Sequence, residues 1–116
     1  MIKTSSAKSK GRLLQQWVVS KLYDCFPFLE EGDLKSTSMG ANGEDIQMSP
    51  AARRAIPLSI ECKARESIAV YGWLTQAKTN CPKGCEPVLV VKQNRSKPLV
   101  IVDADYFFNL IREDEE

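Results

Sequence analysis

The chain has 116 residues, of which 43% are hydrophobic and 27% are charged, and its formal net charge is +1. This length supports one hydrophobic core, and the composition is that of a globular domain rather than of a disordered chain. No apolar run approaches the ~20 residues that a membrane-spanning helix needs, and the first residues lack the apolar core of a signal peptide. We therefore expect one cytoplasmic domain over residues 1–116 with no membrane partner, and flexible tails at residues 1–8 and 113–116.

The first predicted element is a helix from about Ser9 to Phe26, with Ser9 as its N-cap and Pro27 as its terminator. Gln15 lies at the beginning of a helix face that turns inward. It is either a boundary residue or a side chain that reaches a site on the sheet beneath the helix. The apolar residues that recur at helical spacing are Leu14, Val18, Leu22 and Cys25, with Trp17, Val19 and Phe26 beside them.

A polar loop rich in glycine and serine follows over residues 30–42, and part of it can form a first strand. The next strand is predicted over Asp45–Met48. The Ser49-Pro50 pair can then begin a short helical turn, which would direct Arg53 and Arg54 towards a phosphate backbone.

The central strand, Leu58 to Lys63, alternates apolar and polar residues at the period of a half-buried strand. Glu61 and Lys63 share one face of it. If this strand pairs with the strand of Asp45, the carboxylates of Asp45 and Glu61 converge on one hard divalent cation, which prefers oxygen ligands. Lys63 would then help to position or deprotonate an attacking water. This pattern indicates a metal-dependent phosphodiesterase; the alternative is a solvated Glu/Lys pair on an ordinary surface.

The remaining elements complete an α/β pattern. A helix is predicted over Val70–Thr79, and Gln76 on it is either a further site residue or a surface glutamine. Two apolar strands follow, Val88–Val91 and Leu99–Val102, and the first has the continuous apolar run of a strand buried on both faces. A last helix begins at Asp103 or Asp105. We expect a central mixed sheet with helices on its faces.

The small net charge conceals an asymmetry. Apart from the acids at residues 113–116, the chain carries 16 basic and 11 acidic residues, a net charge of +5. The basic residues cluster at the start of the chain and around the central strand. This suits a surface that contacts nucleic-acid phosphates, although a plain solvated surface gives the same pattern. The candidate DNA contacts are Lys8, Lys10, Arg12, Arg53, Arg54, Arg65 and Gln76.

The chain has four cysteines and no histidine. Cys81 and Cys85 can supply half of a zinc site that a second subunit completes, since structural zinc takes four ligands. Free and mostly buried thiols in a reducing compartment are the favoured alternative.

The order of these elements resembles the PD-(D/E)XK nuclease superfamily. The resemblance rests on Lys10-Gly11 at the first helix, Asp45, Glu61-Cys62-Lys63 and the strand Pro87 to Lys92. Within the superfamily the chain is most similar to the archaeal-type Holliday junction resolvases, which also occur in phages. The resemblance implies a restriction-endonuclease-like three-layer fold and a single nuclease domain. It also implies a homodimer that cuts four-way DNA junctions symmetrically with Mg²⁺ or Mn²⁺.

The resemblance also assigns roles. Asp45 and Glu61 would bind the metal together with the carbonyl of Cys62, and Lys63 would orient the water or stabilise the transition state. Gln15 stands where the family commonly carries a glutamate, so it joins the candidate catalytic residues, and Glu44 stands where a proline is usual.

Two alternatives remain open. The nuclease could act on flaps, ends or damaged duplex, or the chain could be a catalytically silent DNA-binding or assembly subunit, which the neutral Gln15 favours. The dimer interface would lie around Tyr71 and Trp73, or on the last helix with Phe107 and Phe108.

Overall fold

The computed structural model describes residues 4–37 and 43–113. The predicted tail residues 1–3 and 114–116, and part of the polar loop, lie outside these ranges. The described chain has the mixed α/β architecture that the sequence predicts. Its elements in chain order are α1 (Thr4–Cys25), β1 (Leu34–Ser36), β2 (Ile46–Met48), α2 (Pro50–Ala55), β3 (Leu58–Arg65), α3 (Val70–Thr79), β4 (Glu86–Gln93), β5 (Leu99–Ile101) and α4 (Ala104–Ile111).

The main sheet has the order β3-β4-β5 and is mixed. Strands β3 and β4 are parallel, so the chain needs a crossover between them, and α3 provides it. Strand β5 returns antiparallel to β4. Residues Val88 to Val91 of the middle strand are each at most 5% exposed, which confirms the predicted strand buried on both faces.

Helices cover both faces of this sheet. On one face, Leu14 and Val18 of α1 pack against Ile60 and Cys62 of β3. On the other face, Leu74 and Ala77 of α3 pack against Leu89 and Val91 of β4. The alternation along β3 therefore places Glu61 and Lys63 on the α3 side, opposite Leu89 and Val91 in the parallel register.

The first helix begins earlier than predicted. It already includes Thr4, so Ser9 lies inside the helix rather than at its N-cap, and the predicted start of this helix is wrong. The segment before Ser9 contains no proline that would end a helix. Buried Gly11 and Leu14 also show that α1 already faces the protein interior within its first half.

The pairing of β2 also differs from the prediction. It forms an antiparallel hairpin with β1. Among the described residues, one hydrogen bond between backbone groups joins this segment to β3, from the N–H of Asp45, just before β2, to the Ile60 carbonyl at 3.3 Å. The predicted pairing of the Asp45 and Glu61 strands is therefore wrong as a ladder and holds at one position. Strands β2 and β3 belong to different sheets. The point at Asp45 and Ile60 where they meet is called the fork below.

The other predicted elements are close to those observed. Helix α3 has the predicted bounds. In α2, the Ser49 hydroxyl accepts a hydrogen bond from the Ala52 N–H at 3.1 Å, as expected of a cap. All four cysteines are free, but only Cys62 is buried and Cys25 is exposed, so the expectation of mostly buried thiols is corrected.

Helix α4 stands apart from the core. None of its residues is buried, although its sequence is amphipathic. Within residues 4–37 and 43–113, no helix has both the length and the apolar character needed to cross a bilayer.

Candidate active site

Asp45 lies at the fork between β2 and β3. Its backbone carbonyl accepts a hydrogen bond from the Thr37 N–H at 2.8 Å, which fixes it to the end of β1. Its side-chain Oδ2 accepts a hydrogen bond from the Cys62 N–H at 2.7 Å. These contacts hold the Asp45 carboxylate against the open edge of β3, directly beside Glu61.

Glu61 is buried, with 4% of its surface exposed, on the α3 side of the sheet. The side-chain amide of Asn80 donates a hydrogen bond to Glu61 Oε1 at 3.3 Å. Asn80 is the residue that ends α3.

The pKa of Glu61 reflects both its burial and the neighbouring acid. It is raised from 4.5 to about 7, first by burial, then by repulsion from the Asp45 carboxylate and by a hydrogen bond with that side chain; the Asn80 hydrogen bond and the positive charge of Lys63 act in the opposite direction. Two acids in this arrangement disfavour a second negative charge unless a cation sits between them. The repulsion between the two carboxylates therefore favours binding of a proton or a metal ion at this site.

Cys62 contributes backbone groups to the candidate site, and its thiol takes no part in it. Burial and then the charges of Asp45 and Glu61 raise the pKa of the thiol well above its usual range, so the sulfur stays protonated. The N–H and C=O of one strand residue point to the same edge of the strand. Since the Cys62 N–H points to Asp45, its carbonyl is directed to the same edge.

Lys63 lies on the same face of β3 as Glu61 and is half-buried. Its positive charge lowers the pKa of Glu61. Within the two described ranges, no hydrogen bond or ion pair engages its Nζ. The fold therefore brings Asp45 beside Glu61, and Lys63 lies on the face of β3 that carries Glu61.

Gln15 is buried, at 4% exposure, on the side of α1 that carries Leu14 and Val18. Its Oε1 accepts no hydrogen bond from the described residues. An unsatisfied buried acceptor costs about 1–3 kcal/mol. This position therefore favours an additional donor or cation, which suits the predicted role without assigning a contact to Asp45 or Glu61.

Asn80 was not among the predicted site residues. The prediction on this helix was Gln76, which is exposed, and Asn80 follows it by one helical turn. An asparagine just after a helix suggests a helix end, but no periodic pattern indicates that its side chain faces Glu61, 19 residues earlier in the chain.

The candidate DNA contacts divide into two groups. Arg53 is engaged within the fold, since its guanidinium binds Glu44 Oε1 at 2.6 Å and the Leu58 carbonyl at 2.8 Å. Glu44 is the partner of this arginine. Lys10 is half-buried and donates a hydrogen bond to Asn94 Oδ1 at 3.2 Å. The exposed members are Lys8, Arg12, Arg54, Arg65 and Gln76.

The oxygens that could hold a metal are those of the acid pair and the Cys62 carbonyl. Oxygen ligands of this kind suit Mg²⁺, which keeps several waters and takes one or two carboxylates. No cluster of three histidine, cysteine or acidic side chains suited to a metal ion occurs among the described residues. A zinc site built by this chain alone is therefore not found in those ranges, and the half-site at Cys81 and Cys85 remains a prediction.

Comparisons with protein-family models, with curated proteins and with solved structures find no significant match to this chain.

Proposed function

We propose that this protein is a divalent-metal-dependent DNA endonuclease of the PD-(D/E)XK type, with the restriction-endonuclease-like fold. The observation that carries the proposal is the meeting of the Asp45 and Glu61 carboxylates at the fork of β2 and β3, with Lys63 on the same face. The sequence resemblance and the helix–sheet–helix layers support it.

Asp45, Glu61 and the Cys62 carbonyl would hold Mg²⁺, for which Mn²⁺ can substitute. When bound by these residues, such an ion would supply a nucleophilic water at neutral pH and would neutralise charge on the scissile phosphate. Lys63 orients the attacking water or stabilises the negative charge that develops on the phosphate. Asn80 holds the Glu61 carboxylate in place through its hydrogen bond. Gln15 acts from α1 as a neutral counterpart of the family glutamate.

The substrate is DNA, and by resemblance a four-way junction that is cut by paired symmetric nicks. The exposed basic residues Lys8, Arg12, Arg54 and Arg65 supply contacts to phosphates, which dominate affinity for DNA. The protein would act in the cytoplasm, or in the host cytoplasm if a phage encodes it.

Paired cuts need two active sites, so the enzyme would act as a homodimer. Of the two predicted interfaces, α4 is the better supported. Its apolar side chains lie in solvent, and the rings of Phe107 and Phe108 are exposed by 48% and 58%. A phenylalanine covers about 150–250 Å² when buried, so each leaves on the order of 100 Å² to be covered. Leu99, Val100, Leu110 and Ile111 are more than half exposed as well.

Two other functions share the same residues. A nuclease for flaps, ends or damaged duplex would use the same acid pair, and cleavage of junction, flap and linear DNA at equal concentration distinguishes these targets. A silent DNA-binding or assembly subunit is favoured only by the neutral Gln15. That subunit would bind a junction without cutting it at any level of Mg²⁺ or Mn²⁺.

The deciding experiment is cleavage of a synthetic four-way junction with end-labelled arms. We expect Mg²⁺-dependent paired nicks, symmetric across the branch. Glu61→Gln and Lys63→Ala should lose at least about 100-fold in rate while retaining DNA binding. The exposed Glu66→Gln is the matched control and should cut normally. Unimpaired cleavage by Lys63→Ala or Glu61→Gln would contradict the assignment.

Metal binding can be measured without activity. Ligands that bind only the folded state raise the melting temperature. Millimolar Mg²⁺ should therefore raise the melting temperature of the native protein and of Glu66→Gln at pH 8, and leave that of Glu61→Gln nearly unchanged.

A further inference from the structure

A groove of about 550 Å³ lies between the N-terminal half of α1 and the turn that joins β4 to β5. Its apolar lining comes from Leu13, Trp17 and Pro98, among others, and its charged lining comes from Lys10, Lys92 and Arg95. Its volume is that of a site for a small organic ligand. The catalytic proposal makes no use of it.

A hydrogen bond joins the two walls of the groove. Lys10 Nζ on α1 donates it to Asn94 Oδ1 in the turn, at 3.2 Å. The next residue, Arg95, has a φ of 62°, in the left-handed region that side chains other than glycine rarely adopt. A glycine would relieve that strain, yet the position is held by an arginine, and this arginine lines the groove.

The lining combines an aromatic surface with several cations. The Trp17 side chain is 43% exposed and that of Leu13 is 65% exposed, so neither is closed off by the fold. Lys21 Nζ also lies 5.5 Å from the centre of the Trp17 ring. Aromatic side chains beside a row of cations bind unpaired nucleotides, because a base stacks on the ring while the cations contact phosphates.

The distribution of the cations favours a polyanion over a single anionic headgroup. Lys10, Lys92 and Arg95 come from three different elements, α1, β4 and the turn. A fatty acid would need one anchor for its carboxylate and a long closed apolar cavity. A nucleic-acid strand presents a negative charge at every residue, which matches cations spread along a groove.

The groove is close to the candidate active site along β3. Ala64 lines the groove and follows Glu61 by three residues, which is about 10 Å along a strand. The two residues point to opposite faces of β3 because side chains alternate. A strand that passes from one to the other must cross the open edge of β3. Duplex DNA, with a persistence length of about 50 nm, is too stiff for such a bend, whereas an unpaired strand can make it.

We propose that this groove binds unpaired nucleotides of the DNA strand next to the scissile phosphate, with a base on Trp17 and phosphates on Lys10, Lys92 and Arg95. This inference rests on the proposed nuclease function and deepens it, because it states why branched DNA is the substrate. The branch point supplies the unpaired nucleotides that a continuous duplex lacks.

The test measures binding of a short labelled oligothymidylate by fluorescence anisotropy, with EDTA present so that no cleavage occurs. Trp17→Leu keeps an apolar side chain but removes the stacking surface, and should weaken binding about tenfold or more. Arg95→Glu should weaken it by a similar factor. Lys83→Glu changes the same charge at an exposed position outside the groove and should have little effect.

A second measurement locates the ligand. The chain has two tryptophans, so in the Trp73→Phe variant Trp17 is the only source of indole fluorescence. Oligothymidylate should quench this fluorescence, and a duplex of equal length should quench it much less. Equal quenching by the duplex would overturn the proposal. So would quenching by laurate that the oligonucleotide does not reverse, because that would assign the groove to a fatty acid.

The outcomes separate the two proposals. Quenching of Trp17 by oligothymidylate in a protein that cuts no DNA would uphold the groove and refute the nuclease. Normal junction cleavage and normal oligonucleotide binding by both Trp17→Leu and Arg95→Glu would refute the groove alone. Thermal unfolding of each variant shows whether a loss of binding comes from a loss of folding.

Discussion

Glu61 is a buried acid with a second acid beside it, and this environment opposes its ionisation. In the metal-free protein its pKa is about 7 because burial and then the charge of Asp45 disfavour the carboxylate. In the unfolded chain the ordinary value of 4.5 applies. The folded state therefore holds this proton more tightly. The contribution of Glu61 to the free energy of unfolding is fully present below about pH 4.5 and is lost as the pH rises through 7.

Replacing Glu61 by glutamine removes this penalty. We expect Glu61→Gln to stabilise the metal-free protein at pH 8 by about 1–3 kcal/mol, and to have little effect at pH 4.5, where the native carboxyl is protonated. Thermal unfolding in EDTA at the two pH values measures the difference. Glu66→Gln, at an exposed position, is the control. A stabilisation of the same size at both pH values would show that the charge is not its cause.

Asn80 should affect the pKa of Glu61. Its hydrogen bond lowers the pKa of Glu61, so Asn80→Ala should raise that pKa. The acidic limb of the pH–rate profile for DNA cleavage should then move to higher pH, while the rate at pH 9 changes less. Gln76→Ala removes an exposed amide one turn earlier on α3 and should leave the profile in place. A uniform loss at all pH values would indicate a purely structural role for Asn80.

At the scale of the elements, periodicity predicted what local sequence determines. The bounds of α3, the doubly buried β4 and the shared face of Glu61 and Lys63 all follow from alternation or helical spacing. Periodicity does not specify which strand pairs with which. For that reason the hairpin of β1 and β2, and the backbone hydrogen bond of Asp45 to β3, could not be predicted from the sequence.

Side-chain contacts between residues far apart in the chain could not be predicted from the sequence either. The orientation of Arg53 depends on Glu44 and on the Leu58 carbonyl, which the fold brings together from three elements or loops. A basic residue on a short helix resembles a DNA contact in the sequence. Its hydrogen bonds show that it also links α2 to the segment before β2 and to the start of β3.

The role of Arg53 in the fold can be measured against its neighbour. Arg53→Ala would leave Glu44 without its partner in a mostly buried position, since the Glu44 side chain is 14% exposed. We expect a loss of about 1–3 kcal/mol in the free energy of unfolding. Arg54→Ala, at an exposed position on the same helix, should change it by less than about 0.5 kcal/mol. Denaturant titration of both variants gives the comparison, and equal effects would contradict the linking role.

At the scale of the whole molecule, α4 is the element that a single chain leaves incomplete. Monomers rarely expose apolar patches of more than a few hundred Å², and a standard interface buries about 800 Å² on each partner. The apolar side chains of α4, together with Leu99 and Val100 of the edge strand β5, are exposed. A two-fold dimer through α4 would cover the helix and would place two active sites on one DNA junction.

Charge introduced into that surface should separate the chains without disturbing the core. Phe108 is 58% exposed, and none of the residues of α4 is buried. Phe108→Asp should therefore leave the melting temperature of the subunit core almost unchanged while the molar mass, measured by light scattering, halves. Asn109→Asp adds the same charge on the polar side of α4 and should leave the dimer intact.

In the junction assay the monomeric variant should make single, uncoordinated nicks, because each active site then meets the DNA alone. A native protein that is monomeric at the concentration of that assay, yet makes paired cuts, would show that α4 is not the dimer interface.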